Sequence, residues 1–246
     1  MLTINKQIET IRQLSQTKSV ATKTELIALG VTDFEKLIQS DELIESTSKS
    51  FVLSEARFSN FLNNAEVSLI VPRGVICLSS ALSYYGVTTV MPNKVYLALP
   101  EGCPIPDTES LAVKVVFMPL KNYSIGIVES VIDGIETKIY NLPKTVIDCL
   151  LYYWEVGEDI AQQAVGEVIQ KKLCTEEELL DCASKAQLNS SSRRVLENIL
   201  QNSQNACIYI YLMNQIRKQL LALSRKENNF EQLISLYIRE GLVDRN

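Results

Sequence analysis

The chain has 246 residues, 46% hydrophobic and 22% charged, with 24 Lys+Arg against 29 Asp+Glu and no histidine. That length and apolar content support more than one buried core, and the lack of histidine excludes Ser-His-Asp and Cys-His catalysis and histidine-ligated zinc. A net charge of −5 argues against a surface coated in phosphate contacts, although a local basic face survives in an acidic chain.

Ile4, Ile8, Ile11 and Leu14 recur at steps of three and four and predict a first helix with one apolar stripe. Thr22 and Glu25 have capping-box spacing, Leu26 and Leu29 supply an apolar face, and Gly30 stands where a left-handed C-terminal residue belongs. Thr32 and Glu35 repeat the box before Phe34, Leu37 and Ile38, the core face of a third helix. Two short helices about a tight Gly30-Val31 turn form the helix-turn-helix pattern. Leu43–Glu45 and Phe51–Leu53, separated by the polar residues 46–50, predict a hairpin that would be its wing. Residues 1–60 thus read as a winged helix-turn-helix.

DNA would meet Lys23, Thr32, Lys36 and Gln39 on the helices and Lys49 on the wing. Charge pulls the other way, since Asp33 and Glu35 open the third helix, where they favour its dipole but would repel phosphates. The same topology serves protein or RNA contacts, and fold alone does not choose between them.

A linking helix is expected near Arg57 to Asn64, then a buried helix ending at Gly86. Strands follow at Lys94–Pro100 and Val113–Met118, with a hairpin of Ile125–Ile132 and Ile135–Tyr140 turned at Asp133-Gly134. These strands predict a central antiparallel sheet. Pro143 opens a helix through Asp148 to about Trp154, and further helices are expected over Glu158–Lys171, Thr175–Ala186 with a Thr175/Glu178 capping box, and Ser191–Asn202. Lys144, Thr145 and Asp148 read as capping, dipole and ion-pair residues rather than a catalytic set. Arg73 either joins Lys94 and Lys114 on a basic face or anchors the loop before its helix.

Pro72-Arg73-Gly74-Val75-Ile76-Cys77-Leu78 with Ser80-Ala81-Leu82 and Gly86, the Val95–Pro100 strand, the Ile132-Asp133-Gly134-Ile135 turn, and Tyr140 with Pro143–Asp148 occur in the order and spacing of one family. Over about residues 5–200 the chain resembles the AbiEi antitoxins of type IV toxin-antitoxin and abortive-infection operons. The resemblance implies repression of the protein's own operon through operator DNA. It also implies a larger domain, residues 65–203, that counters a nucleotidyltransferase toxin without a stable complex, and no enzymatic activity. The acidic third helix departs from the family pattern.

From residue 204 onward, Ile216, Leu220, Leu221 and Leu223, then Phe230, Leu233, Ile234, Tyr237 and Ile238, predict an amphipathic helical tail. Gln215–Lys226 with Phe230 and Leu233–Arg239 resembles the opening segment of an AbiEii-type toxin; the alternative is a helical hairpin that docks on its own chain or forms a homodimer. Cys77, Cys103, Cys149, Cys174, Cys182 and Cys207 are never spaced as CxxC and read as reduced thiols of a cytoplasmic protein. No run approaches the roughly 18 apolar residues of a membrane span, and the sequence holds no GxxxxGK[ST] or GxGxxG. The composite expectation is an α+β protein of three parts, with no cofactor, metal or membrane contact.

Overall fold

The computed structural model describes residues 2–57 and 59–203. Met1–Glu197 is one compact unit and Asn198–Asn246 a second. The expected tail helices lie outside the described residues.

The chain is α+β. It opens with α1 (Ile4–Ser15), β1 (Val20–Thr22), α2 (Lys23–Ala28), α3 (Phe34–Gln39), β2 (Leu43–Thr47) and β3 (Ser50–Leu53). The α1 stripe behaves as its spacing requires: Ile11 is buried with Leu26, Val31, Leu37, Leu43, Phe51 and Leu53, and Ile4, Ile8 and Leu14 pack against that cluster. Strand β3 lies between β1 and β2, antiparallel to both. Strand β1 is an addition to the expected elements. Its three residues are too few for a period to register, and it exists because Val20 and Ala21 pair with Val52 and Phe51.

Gly30 has φ +89°, which favours glycine in the turn after α2, and a Cβ there would also push against the Leu2 methyl at 2.8 Å. Thr22 caps α2 by accepting from Glu25 N at 3.1 Å, while the Glu25 carboxylate pairs with Lys18. The second expected box does not form, because Asp33 and not Thr32 is the N-cap of α3. Leu29 is exposed instead of lying on the core face, since α2 stops at Ala28 and Leu29 is its C-cap.

The chain continues with α4 (Leu62–Ile70), β4 (Val75–Ile76), α5 (Leu78–Tyr84), β5 (Val95–Pro100), β6 (Val113–Met118), α6 (Leu120–Tyr123), β7 (Ile127–Ile132), β8 (Ile135–Tyr140), α7 (Leu142–Leu151), α8 (Tyr153–Val156), α9 (Glu158–Gln170) and α10 (Glu176–Lys185). Helix α4 starts later than the expected linking helix, after Ser59, whose amide and hydroxyl are both on the Asp133 carboxylate.

The central sheet has the order β6-β5-β4-β8-β7 and is mixed, not antiparallel as expected. Only β7–β8 and β4–β5 are antiparallel; β5–β6 and β4–β8 run parallel. The cause is the connection 101–112, which carries the chain back so that Val113 sits beside Val95 rather than turning as a hairpin. Val95, Leu97 and Leu99 bury one face of β5 with Val67 of α4 and Val71, the residue that follows it. Alternation sends Tyr96 to the other face, where its hydroxyl donates to Glu155 O of α8 at 3.1 Å.

Asn141 caps α7 by accepting from Lys144 N at 3.0 Å, with Pro143 in the first turn. The helix breaks at Tyr152, whose ψ of 39° is non-helical, so it does not run unbroken to Trp154. The Thr175/Glu178 capping box of α10 forms in both directions. Asn189 caps a further helix from residue 190 by accepting from Ser192 N at 2.8 Å.

The first sixty residues are bonded into the rest of their unit. Ser19 N donates to Asp133 O at 3.0 Å, and Ser50 Oγ donates to the buried Glu66 carboxylate at 2.7 Å. At the β7–β8 turn Asp133 and Gly134 have φ of 50° and 79°, and a Cβ on Gly134 would lie 2.1 Å from Thr17 O. Among the described residues no helix is long and apolar enough to cross a membrane, and Cys77, Cys103, Cys149, Cys174 and Cys182 are free thiols.

Candidate nucleic-acid interface

The exposed face of α3 carries Glu35, Lys36 and Gln39, with Thr32 exposed just before it. Its position is set by a residue of α1. Gln7 is fully buried; its Oε1 accepts from Thr32 N at 2.9 Å and Asp33 N at 3.1 Å, and its Nε2 donates to Leu2 O at 3.0 Å and Asp33 Oδ2 at 2.7 Å. One amide thus ties the α2–α3 turn to α1 and satisfies the N-cap N–H of Asp33, one of those that a helix start leaves open, together with the Thr32 N–H before it. The hydrogen bond from Gln7 holds the Asp33 carboxyl below its ordinary value, with Lys36 assisting from 3.5 Å. One Asp33 oxygen is thus engaged by Gln7 while the other faces Lys36 at a half-exposed position, and Glu35 is the more exposed acid of the first turn. Gln7 escaped the sequence reading because it is polar, yet it falls on the Ile4-Ile8-Ile11 stripe.

Lys23 and Lys49 are brought together, since Lys23 N donates to Lys49 O at 2.8 Å and Thr22 pairs with Ser50. The Lys23 ammonium stands 5.5 Å from the centre of the Phe34 ring at the start of α3. Below the hairpin tip Thr47 Oγ1 and Ser50 Oγ are 2.7 Å apart and buried, with Ser50 bonded on to Glu66. The tip itself touches the connection 101–112. Ser48 donates its amide (2.6 Å) and hydroxyl (2.5 Å) to Glu109, and Lys49 Nζ lies 3.0 Å from Asp107 and 3.6 Å from Glu109. Hydrogen bonding to Asp107, and then its charge, raises the Lys49 ammonium pKa. Asp107 and Glu109 are lowered, chiefly by the bonds from Lys49 and Ser48 respectively.

Arg73, Lys94 and Lys114 do not share one face. Val75 pairs with Ala98, so Arg73 precedes β4 beside the Pro100 end of β5, while Lys94 precedes the opposite end. The backbone carbonyl of Arg73 accepts from the Tyr123 hydroxyl at 2.5 Å, a bond that does not involve the guanidinium. Lys94 stands 5.8 Å over the Tyr96 ring, and Lys114, paired in register with Tyr96, is neutralised by Glu155 at 3.1 Å.

Lys144 and Asp148 form the expected ion pair one turn apart, but both are wholly buried. The Lys144 ammonium lies 4.3 Å from the Tyr140 ring centre, and Asp148 Oδ1 has no partner among the described residues. Desolvation pushes the Asp148 carboxyl up to about 6 against the pull of Lys144. Burial also drives the Cys77 and Cys149 thiols well above their ordinary value, which keeps them protonated and unreactive. Among the described residues no cluster of acidic or cysteine side chains could hold a metal ion.

No family model and no curated protein matches the chain. Its fold is similar to that of a solved structure, the RV2827C protein from Mycobacterium tuberculosis, with a TM-score of 0.55 and 15% identity over 79% of this chain and 75% of that one. At that identity the likeness is one of fold.

Proposed function

We propose that residues 2–57 are a winged helix-turn-helix that binds DNA, and that the chain is an AbiEi-like antitoxin repressing its own operon. One observation carries this reading: α3 presents Lys36 and Gln39 to solvent beside a hairpin whose Lys49 is bonded back to Lys23 at the start of α2. An exposed second helix next to a hairpin that carries a lysine at its tip is an arrangement that can lay a helix in the major groove and a wing on the flanking backbone. The order helix, strand, helix, helix, hairpin, with the first strand completing the sheet, agrees with it. On this reading residues 65–203 counter a nucleotidyltransferase toxin through transient contacts, and the protein itself catalyses nothing.

Fluorescence anisotropy with a labelled duplex from the operon's own upstream region, at low and moderate salt, tests the proposal. Binding should weaken steeply with salt, and Lys36→Glu with Lys49→Glu should weaken it for every sequence and flatten the salt slope by roughly one unit per lost phosphate contact. Since Asp33 is committed to Gln7, Glu35→Lys is the substitution that should tighten nonspecific binding. No binding at low salt would refute the reading. A protein-contact role would then take its place, favoured by Ile27, Leu29 and Ile44, which are 52%, 42% and 53% exposed on the same module.

A further inference from the structure

We propose that the connection 101–112 acts as an internal substitute for a DNA phosphate, its Asp107 and Glu109 carboxylates occupying the hairpin-tip donors that DNA would use. The inference rests on the DNA-binding reading above. Its basis is the donor set. Glu109 takes the Ser48 amide at 2.6 Å, the Ser48 hydroxyl at 2.5 Å and a contact from the Lys49 ammonium at 3.6 Å. A backbone amide, a hydroxyl and an ammonium converging on one anion are the groups with which proteins hold a DNA phosphate oxygen. Asp107 fills the remaining side of Lys49 at 3.0 Å, so the ammonium is flanked by two carboxylates.

The loop is shaped to make this contact. Glu109 adopts a left-handed φ of 50°, unfavourable for a residue with a Cβ. The turn is closed by Glu109 N on Asp107 Oδ1 at 3.2 Å, and Ser110 Oγ donates to Ser46 O at 2.8 Å on the hairpin. The root of the hairpin is fixed separately by the buried Thr47, Ser50 and Glu66 chain, so the loop can leave the tip without the hairpin losing its place. All the tip contacts are solvent-exposed, which makes them individually weak and readily exchanged. DNA binding then replaces one ion pair by another at Lys49. The wing is held in check by competition, not by burial.

The test compares the full chain with its Asp107→Asn, Glu109→Gln variant on a generic labelled duplex. The variant should bind about 3- to 10-fold tighter, the range expected from releasing two exposed charge contacts. Its salt slope should steepen by about one unit, because Lys49 then releases a DNA counterion without surrendering a carboxylate. Adding Lys49→Ala to the variant should abolish the gain. Equal affinities for chain and variant, both weakened alike by Lys49→Ala, would overturn the inference while leaving the DNA-binding reading intact; binding by neither would overturn both. A measurement without DNA decides the contact itself. The Ser48 amide should exchange with solvent more slowly in the chain than in Glu109→Gln, and equal rates in the two would overturn the proposal.

Discussion

Replacing Lys144 by Met removes one partner of an ion pair that has no access to water. Both side chains are fully buried, the carboxylate already has one unpartnered oxygen, and its folded pKa is already raised to about 6 by desolvation. Taking away the ammonium leaves a buried carboxylate that must stay charged at a desolvation cost or take up a proton, and losses of this kind amount to about 3–5 kcal/mol. With a urea dependence of about 3 kcal/mol per molar, typical for a unit of this size, the unfolding midpoint should fall by about 1–2 M at pH 7. Adding Asp148→Leu should restore stability to that of the parent or beyond it, because an under-bonded buried pair is often replaced by apolar side chains at a gain of about 1–4 kcal/mol. Equilibrium unfolding of parent, single and double variants completes the comparison. A single variant within about 1 kcal/mol of the parent would refute the reasoning, since it would mean that water reaches the carboxylate; a double variant no better than the single would mean that the pair carries net stability.

The same pair sets a pH dependence. The folded carboxyl of Asp148 titrates near 6 against an ordinary 3.8, so between those values the folded state binds more protons than the unfolded one. This group's contribution therefore falls as pH rises from about 4 to 6. The parent should lose stability relative to the Lys144→Met, Asp148→Leu protein across that window, and a flat difference would contradict the assignment. Gly134→Ala should cost at least about 2 kcal/mol, since the added Cβ meets the Thr17 carbonyl at 2.1 Å where φ is also positive; thermal unfolding reads it directly. Gln7→Ala should cost about 2–3 kcal/mol by leaving the Thr32 and Asp33 amides without their acceptor, and exchange at those two amides should accelerate.

Local signals in the sequence carried far, and long-range ones did not. The Thr175/Glu178 box, the Asp133-Gly134 turn and the α1 stripe were legible because each is decided by residues within a turn or two of one another. The Thr32/Glu35 box had the same spacing and failed, because Gln7, twenty-five residues before Thr32, supplies the acceptor instead. Parallel pairing of β5 with β6 left no trace in either strand, since alternation reports which face is buried and not the direction of the neighbour. Lys144 and Asp148 were read as an ion pair from their spacing, yet nothing in the spacing says that both are buried. Lys49 looked free in sequence; its partners Asp107 and Glu109 lie across a connection with no periodicity of its own.

The β7–β8 turn is wedged against Thr17 and Lys18 while Asp133 grips Ser19 and Ser59, so the N-terminal module is tied to the central sheet both before β1 and after β3. The N-terminal module and the central sheet consequently share one frame of reference. Two attachments resist rotation where a single one would act as a swivel, so a change at the Asp133-Gly134 turn should disturb the seating of the N-terminal module as well as the edge of the central sheet.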